Sequence, residues 1–403
     1  MPTSVVIPPQ VGVSFEDTSV AFSSKTDFEL KKTYWLFAMM NQTWLVKLGT
    51  FFIKLALLLR LPIKGLVKHT LFGQFCGGES IQECAKTISN LAKFNIGTIL
   101  DYSVEGEDKE ESFEKTTAEI LRTIEKASQN ESIPFSVFKV TGIGSAALME
   151  KIQLEAMLDA AEQAAFERIQ KRVDILCKKA HDLEVKIFID AEESWIQTVI
   201  DQLAYEAMKK YNKVSPIVYN TFQLYRQDML ENLKNACREA KSEGYFLGAK
   251  LVRGAYFEKE RQRAYENEYQ DPIHATKEDT DRDFNRAIEF CLENREVVSI
   301  CLGTHNEYSC LYCIELMQKM NISSQDPHVW FAQLLGMSDN ISYNLAKAGY
   351  NVAKYVPYGP IESVMPYLFR RAEENKSIAG QSSREFLLIK REVMRRRQTK
   401  VAC

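Results

Sequence analysis

The sequence predicts an α/β fold, a distorted (β/α)8 barrel with an N-terminal helical arm. A short apolar run ending in polar residues recurs eight times, longer segments with apolar residues every three or four separate these runs, and residues before about 85 lack them. Successive parallel strands require a crossover between them, most often a helix, so a strand-then-helix unit repeated eight times is the pattern that closes a barrel.

The arm, residues 1–85, reads as helical and amphipathic, with enough aromatic and aliphatic residues to cover the outside of a barrel. Its most apolar stretch, "WLVKLGTFFIKLALLLRLPIK" (44–64), is interrupted by Lys47, Lys54 and Arg60, which suits a membrane surface better than a span. The barrel follows over 86–403. Its strands are read at "IGTILDYS" (96–103), "FSVFKVTG" (135–142), "VKIFIDAEE" (185–193), "IVYNTFQLY" (217–225), "GAKLVRGAY" (248–256), "VSICLGTHN" (298–306), "VWFAQLLGM" (329–337) and "VAKYVPYG" (352–359). Intervening segments such as "EAMLDAAEQAAFERIQKRVDILCKKAHDL" are rich in strong helix formers. The helix after the last strand is the eighth, and it carries Tyr367, Arg370 and Arg371 near its third turn, on one face at i, i+3 and i+4. A phenol and two guanidiniums arranged this way can grip a small carboxylate.

With 403 residues, 45% hydrophobic content and a formal charge of −3, the chain has an ordinary globular composition, neither disordered nor fibrous. The near-neutral balance argues against a nucleic-acid partner, and the basic "KREVMRRRQTK" (390–400) reads as a solvated helix face. Nine scattered cysteines lack the spacing of a disulfide framework, which favours a reducing compartment. Cys310 and Cys313 form a CxxC with only His305 nearby, too few ligands for zinc, and read as the buried side of a helix. The first residues show neither a secretory signal nor a transit peptide, so cytoplasmic exposure is expected.

Barrel active sites lie at the C-terminal strand ends, which here carry Asp101, Lys139, Asp190, Gln223, Arg253, His305, Gln333 and Tyr355. "KLVRGAYFEKER" (250–261) is expected to bring Lys250 and Arg253 to one point beside a glycine-permitted close backbone approach, suiting an anionic, planar or phosphorylated ligand. "GTHN" (303–306) adds further hydrogen-bonding groups, and "HATKED" supplies Thr276 and Lys277 as phosphate contacts. Gly142, Gly144 and Ala147 outline a dinucleotide fingerprint, but on the second of eight strands. Those glycines are instead expected to let a loop turn tightly.

"KLVRGAY", "IDAEE", "THN", "FAQLLGM" and "KYVPYGP…PYLFRR", in this order and on these strand ends, resemble proline dehydrogenase over roughly residues 85 to 390. The resemblance implies a barrel that holds FAD non-covalently, oxidises L-proline to Δ1-pyrroline-5-carboxylate and passes electrons to a membrane quinone. It places Arg370, Arg371 and Lys139 around the proline carboxylate, Tyr355 and Tyr367 as pocket walls, Leu334 on an apolar side, and Asp190 beside the flavin. Flavin contacts are implied at Gln223, Lys250, Val252, Gly254, Ala255, Tyr256, Thr276, Lys277, Thr304, His305 and Asn306.

Many bacterial members exchange the Lys250 and Arg253 residue types, which leaves open which cation lies near the reactive flavin nitrogen. Glu105 is implied as one half of a lid pair. Tyr355 favours proline, since relatives that prefer hydroxyproline carry a smaller residue there, and a hydroxyproline dehydrogenase is the nearest alternative. The resemblance further implies a separate pyrroline-5-carboxylate dehydrogenase, because no aldehyde-oxidising domain is expected, and a peripheral place on the inner membrane, mitochondrial in a eukaryote. Two other classes stay open from the residues themselves: a barrel lyase using Lys139 as a Schiff-base amine, and a membrane scaffold resting on 44–64.

Overall fold

Eight parallel strands close on themselves in chain order: β1 (Ile96–Tyr102), β2 (Phe135–Lys139), β3 (Lys186–Asp190), β4 (Val218–Gln223), β5 (Leu247–Val252), β6 (Val298–Gly303), β7 (Val329–Leu334) and β8 (Val352–Tyr358), with β8 hydrogen-bonded back to β1. The computed structural model describes residues 12–40, 42, 48–49, 64–104, 108–377 and 381–402. Each strand begins within one residue of the apolar run that predicts it.

Side chains alternate along every strand, and the alternation sorts the core into two. Inward positions put Ile99, Phe135, Val137, Phe188, Tyr219, Cys301, Ala332, Ala353 and Tyr355 in the lumen. Phe135 and Phe188 stack at 4.4 Å between ring centres, with Tyr219 and Trp330 edge-on to Phe135 at 5.6 and 5.2 Å. The lower lumen is therefore filled by rings. Gly248 makes this packing possible: a Cβ there would lie 2.4 Å from the Val218 carbonyl oxygen and 2.6 Å from the Tyr219 ring. Outward positions meet the surrounding helices in the main core. One of those helices, Ala160–Asp182, opens with a reciprocal capping box between Asp159 and Glu162.

The N-terminal segment contributes Thr18–Ala21, the arm helix Asp27–Met40, short helical turns over 64–75, and Ile81–Ala92, which runs through position 85. Leu30, Phe37 and Met40 of the arm helix share a second core with Leu388 and Ile389 of the C-terminal helix Gln381–Ala402 and with Met365, Tyr367 and Leu368 of the mouth helix Ile361–Ser377. Tyr34 packs on Phe386 at 5.1 Å, and Asp27 pairs with Arg396 at 3.0 Å and with Lys400. The arm and C-terminal helices thus run side by side in opposite directions. Apart from Leu48, Gly49 and Lys64, the apolar stretch 44–64 lies outside the described residues, as does Glu105. Among the described residues no helix is long and apolar enough to cross a membrane.

One sequence reading is corrected here. The charged tail is more than a solvated face, because Glu392 is fully buried and accepts from Thr18 at 3.0 Å and from Arg395 and Arg396, while Glu385 is buried as well. Gly142 closes the tight 3-10 turn Val140–Gly142 and Gly144 lies in the bend that follows, neither at positive φ. At Gly144 the requirement is steric: a Cβ would fall 2.4 Å from Ile169. Cys310 and Cys313 are buried on helix Glu307–Lys319.

Candidate active site

Three inward positions from three strands converge near the mouth. Lys250 Nζ donates to Asp190 Oδ1 at 2.5 Å and to the Tyr355 hydroxyl at 2.7 Å, and that hydroxyl donates to the same Asp190 oxygen at 3.0 Å. The ammonium also stands over the Tyr355 and Phe188 rings, 4.3 and 5.3 Å from their centres. Burial, followed by the Asp190 and Asp101 carboxylates, pushes the Tyr355 phenol well above its ordinary range, so it keeps its proton. The cluster holds one cation, one anion and one neutral donor in a water-poor pocket, and each satisfies the others.

Lys139 lies beside this cluster, its Cα in register with Asp190 on the neighbouring strand. Glu192, a residue the sequence reading did not single out, is buried two positions beyond Asp190 and accepts from the Thr141 amide at 3.0 Å and from its hydroxyl. Burial raises this carboxyl to about 7, against the Thr141 hydrogen bonds and the Lys139 charge, which lower it. "IDAEE" marked the strand end, but only the fold shows which of its acids is enclosed.

Helix Ile361–Ser377 carries Tyr367, Arg370 and Arg371. Tyr367 and Arg371 are both buried, and the Arg371 guanidinium lies 5.0 Å from the Tyr367 ring centre. The charge of Arg371 acts on His305 and that of Arg370 on Tyr256. Leu334 packs against both the lumen and the arm-side core.

Strand alternation sorts the strand-end residues between the lumen and the outer wall. Arg253 is an odd number of positions from Lys250 and turns outward, bonding Asp281 at 2.7 Å, Thr304 at 2.6 Å and Ser309 at 2.9 Å, with Phe284 beneath it at 4.3 Å. The lumen cation is therefore Lys250, and the two basic groups do not meet at one point. Gln333 also turns outward, linking the Thr304 carbonyl at 3.1 Å to the Ser342 hydroxyl at 2.8 Å. Its register partner Lys354 is fully buried behind the barrel wall, paired with Asp339 at 3.0 Å. A cavity of about 260 Å³ lies on that outer side between arm and barrel, lined in part by Lys25, Gln74, Asp339 and Lys354, away from the lumen mouth.

The remaining candidates line the mouth or support it. Gln223 is buried and donates to the Glu192 carbonyl at 2.6 Å. Beyond β5 the backbone at Gly254 and Ala255 is exposed, with Val252 and Tyr256 partly so. Gly254 has φ 144°, and the Tyr225 ring sits 2.4 Å from where its Cβ would be, so only glycine fits. Thr276 caps helix Lys277–Glu293 through the Asp279 amide, and Lys277 pairs with Asp281 at 2.5 Å. Thr304 accepts from the Asn306 amide at 3.1 Å, and the Asn306 side chain caps helix Glu307–Lys319. The side chains of Thr304 and Asn306 thus brace the loop that presents His305. Burial, then the charges of Lys354, Arg371 and Arg253, lower His305 to about 3, so its imidazole is neutral.

A family profile described as proline dehydrogenase matches residues 84–384 of the chain. The carbapenem antibiotics biosynthesis protein CarD of Pectobacterium carotovorum is 34% identical, over 80% of this chain and 83% of its own. Proline dehydrogenase 1, mitochondrial, of Dictyostelium discoideum is 31% identical over 94% of this chain and 74% of its own. Hydroxyproline dehydrogenase of Xenopus laevis is 28% identical over 98% and 92%. Among solved structures, proline utilization A from Bdellovibrio bacteriovorus inactivated by N-propargylglycine superposes with a TM-score of 0.70 at 18% identity, a likeness of fold that covers 88% of this chain and 38% of that larger one.

Proposed function

Because the chain belongs to the proline dehydrogenase family and is thus a proline-oxidising enzyme, we propose that it converts L-proline to Δ1-pyrroline-5-carboxylate with FAD held at the open end of the barrel. The observation that carries this reading is the Lys250–Asp190–Tyr355 cluster, whose three groups meet in the lumen while the mouth helix brings Arg370 and Arg371 toward the strand-end loops.

The residues present suit such a cofactor. The exposed backbone at Gly254 and Ala255 offers a flat edge, the capped start of helix Lys277–Glu293 with Lys277 suits a phosphate, and neutral His305 with its braced loop offers a hydrogen-bonding wall. When bound, the flavin supplies the hydride acceptor. Lys139, Arg370 and Arg371 hold the substrate carboxylate in planar guanidinium and ammonium contacts. Cations around the site favour the neutral form of the proline amine, the form that can lose hydride. Leu334, Tyr355 and Tyr367 exclude water and fix the ring, a contribution of about 7–11 kcal/mol when orientation is good.

The electron acceptor in this reading is a membrane quinone, reached by peripheral contact. The supporting surface lies on the paired arm and C-terminal helices. Phe28, Trp35 and Met39 of the first and Leu387 and Met394 of the second are 78, 66, 50, 56 and 49% exposed. Lys31, Lys32, Lys390 and Arg397 are exposed on the same two outward faces. Large apolar side chains interspersed with cations suit the headgroup region of an anionic bilayer.

The deciding experiment is an anaerobic visible spectrum of purified protein before and after L-proline and, separately, trans-4-hydroxy-L-proline. Flavin bands that bleach with proline are expected. Bleaching with hydroxyproline alone transfers the chain to its sister activity, and protein that stays colourless after adding FAD overturns the cofactor assignment.

A further inference from the structure

The loop between β7 and helix Asp339–Lys347 contains a serine in an uncommon conformation. Ser338 has φ 50° and ψ 43°, in the left-handed region that residues bearing a side chain mostly avoid. It occupies the N-cap position, where a serine hydroxyl ordinarily closes the first turn, yet it makes no capping bond. The hydroxyl lies instead 2.9 Å from Nδ1 of His305, and the Ser338 amide donates at 3.0 Å to Oε2 of Glu385 on the C-terminal helix. We propose that Glu385 is a positioning residue: by holding the Ser338 backbone it aims that hydroxyl at Nδ1 and so sets the orientation and tautomer of His305 at the flavin site. The inference rests on the flavin reading given above.

Glu385 is costly where it stands. It is buried, faces the Asp339 carboxylate, and forms no ion pair among the described residues, since Lys25 and Lys354 both pair with Asp339, at 3.5 and 3.0 Å. An apolar side chain would fill the same space without that penalty. What it could not do is accept the Ser338 amide. At the other end of the chain of contacts, a neutral imidazole has one donor and one acceptor nitrogen; the buried Ser338 hydroxyl has no other acceptor among the described residues, so its proton goes to Nδ1 and leaves Nε2 as the donor. The C-terminal helix, outside the barrel wall, thereby reaches a residue assigned to the cofactor.

The test uses the full chain labelled with ¹⁵N-histidine, whose five histidines can be separated by long-range ¹H–¹⁵N spectra, His305 being assigned by its loss in His305→Asn. His305 is expected to show one tautomer in the wild type and in Glu385→Gln, whose amide oxygen still accepts, and a mixture in Ser338→Ala and in Glu385→Met, an apolar side chain of similar length. FAD affinity, read by fluorescence titration, should fall about tenfold in the latter two, the scale on which outer partners of a ligand-holding side chain act, while KM for proline stays within about twofold. A single tautomer with wild-type FAD affinity in both Ser338→Ala and Glu385→Met overturns the proposal. Loss of the tautomer in the variants of a wild type that takes up no FAD upholds the positioning and overturns the flavin reading instead.

Discussion

On the mouth helix the charge of Arg371 acts on His305 and that of Arg370 on Tyr256. If Arg371 clamps the carboxylate as proposed, replacing it by Met costs roughly 3–5 kcal/mol and should lower kcat/KM for proline by about two to four decades while flavin absorbance persists. Steady-state kinetics at the wild-type level would refute the clamp. Tyr355→Ser opens space beside Lys250 and should raise the ratio of hydroxyproline to proline turnover by about tenfold, checked by parallel kcat/KM measurements. These residues were legible in the sequence because each belongs to a local motif at a strand end or on one helical face. Arg253 and Gln333 were misplaced because inward and outward positions alternate, and a shift of one residue in reading the register exchanges them. Glu192 and Lys354 lay inside quoted motifs without being singled out, and Ser338 gave no local signal. Their significance comes from burial and from partners far off in the chain.

At the scale of elements, the strands were the most legible part of the fold: fully buried parallel strands need unbroken apolar runs, and few helices share that pattern at that length. The C-terminal helix was the least legible, because its arginines and lysines dominate the composition while its two buried glutamates, Glu385 and Glu392, are decided by packing against the arm and the barrel wall. Glu385 also gives that helix a pH dependence. Burial and the Asp339 carboxylate raise it from 4.5 to about 7, against the lowering by the Ser338 amide and by Lys354 and Lys25. Its folded-state value lies above the unfolded one, so its favourable contribution is complete below the unfolded value and is lost as pH rises through the folded one, a change of roughly 3 kcal/mol. Glu385→Gln should therefore raise Tm at pH 8.5 and leave it nearly unchanged at pH 4.5. A Tm difference that does not grow between these two pH values would count against the assignment.

For the molecule as a whole, the paired outer helices present Phe28, Trp35, Met39, Leu387 and Met394 together with exposed cations. Binding to anionic vesicles should weaken with added salt and fall several-fold in Lys31→Glu/Lys390→Glu, at about 1 kcal/mol per cation, with proline oxidation by a soluble acceptor unaffected. Flotation that ignores both salt and charge reversal would remove this surface from consideration. The same pairing has a consequence for biosynthesis. The Thr18 hydroxyl is held by Glu392, 374 residues further along the chain, and the arm helix shares its core with Leu388 and Ile389. The arm must wait for a segment made 374 residues later, so during translation its apolar side has no permanent cover in the meantime. Contacts of such long sequence separation form slowly, because the closure entropy precedes the reward. The arm therefore stays uncovered until the helix Gln381–Ala402 has emerged.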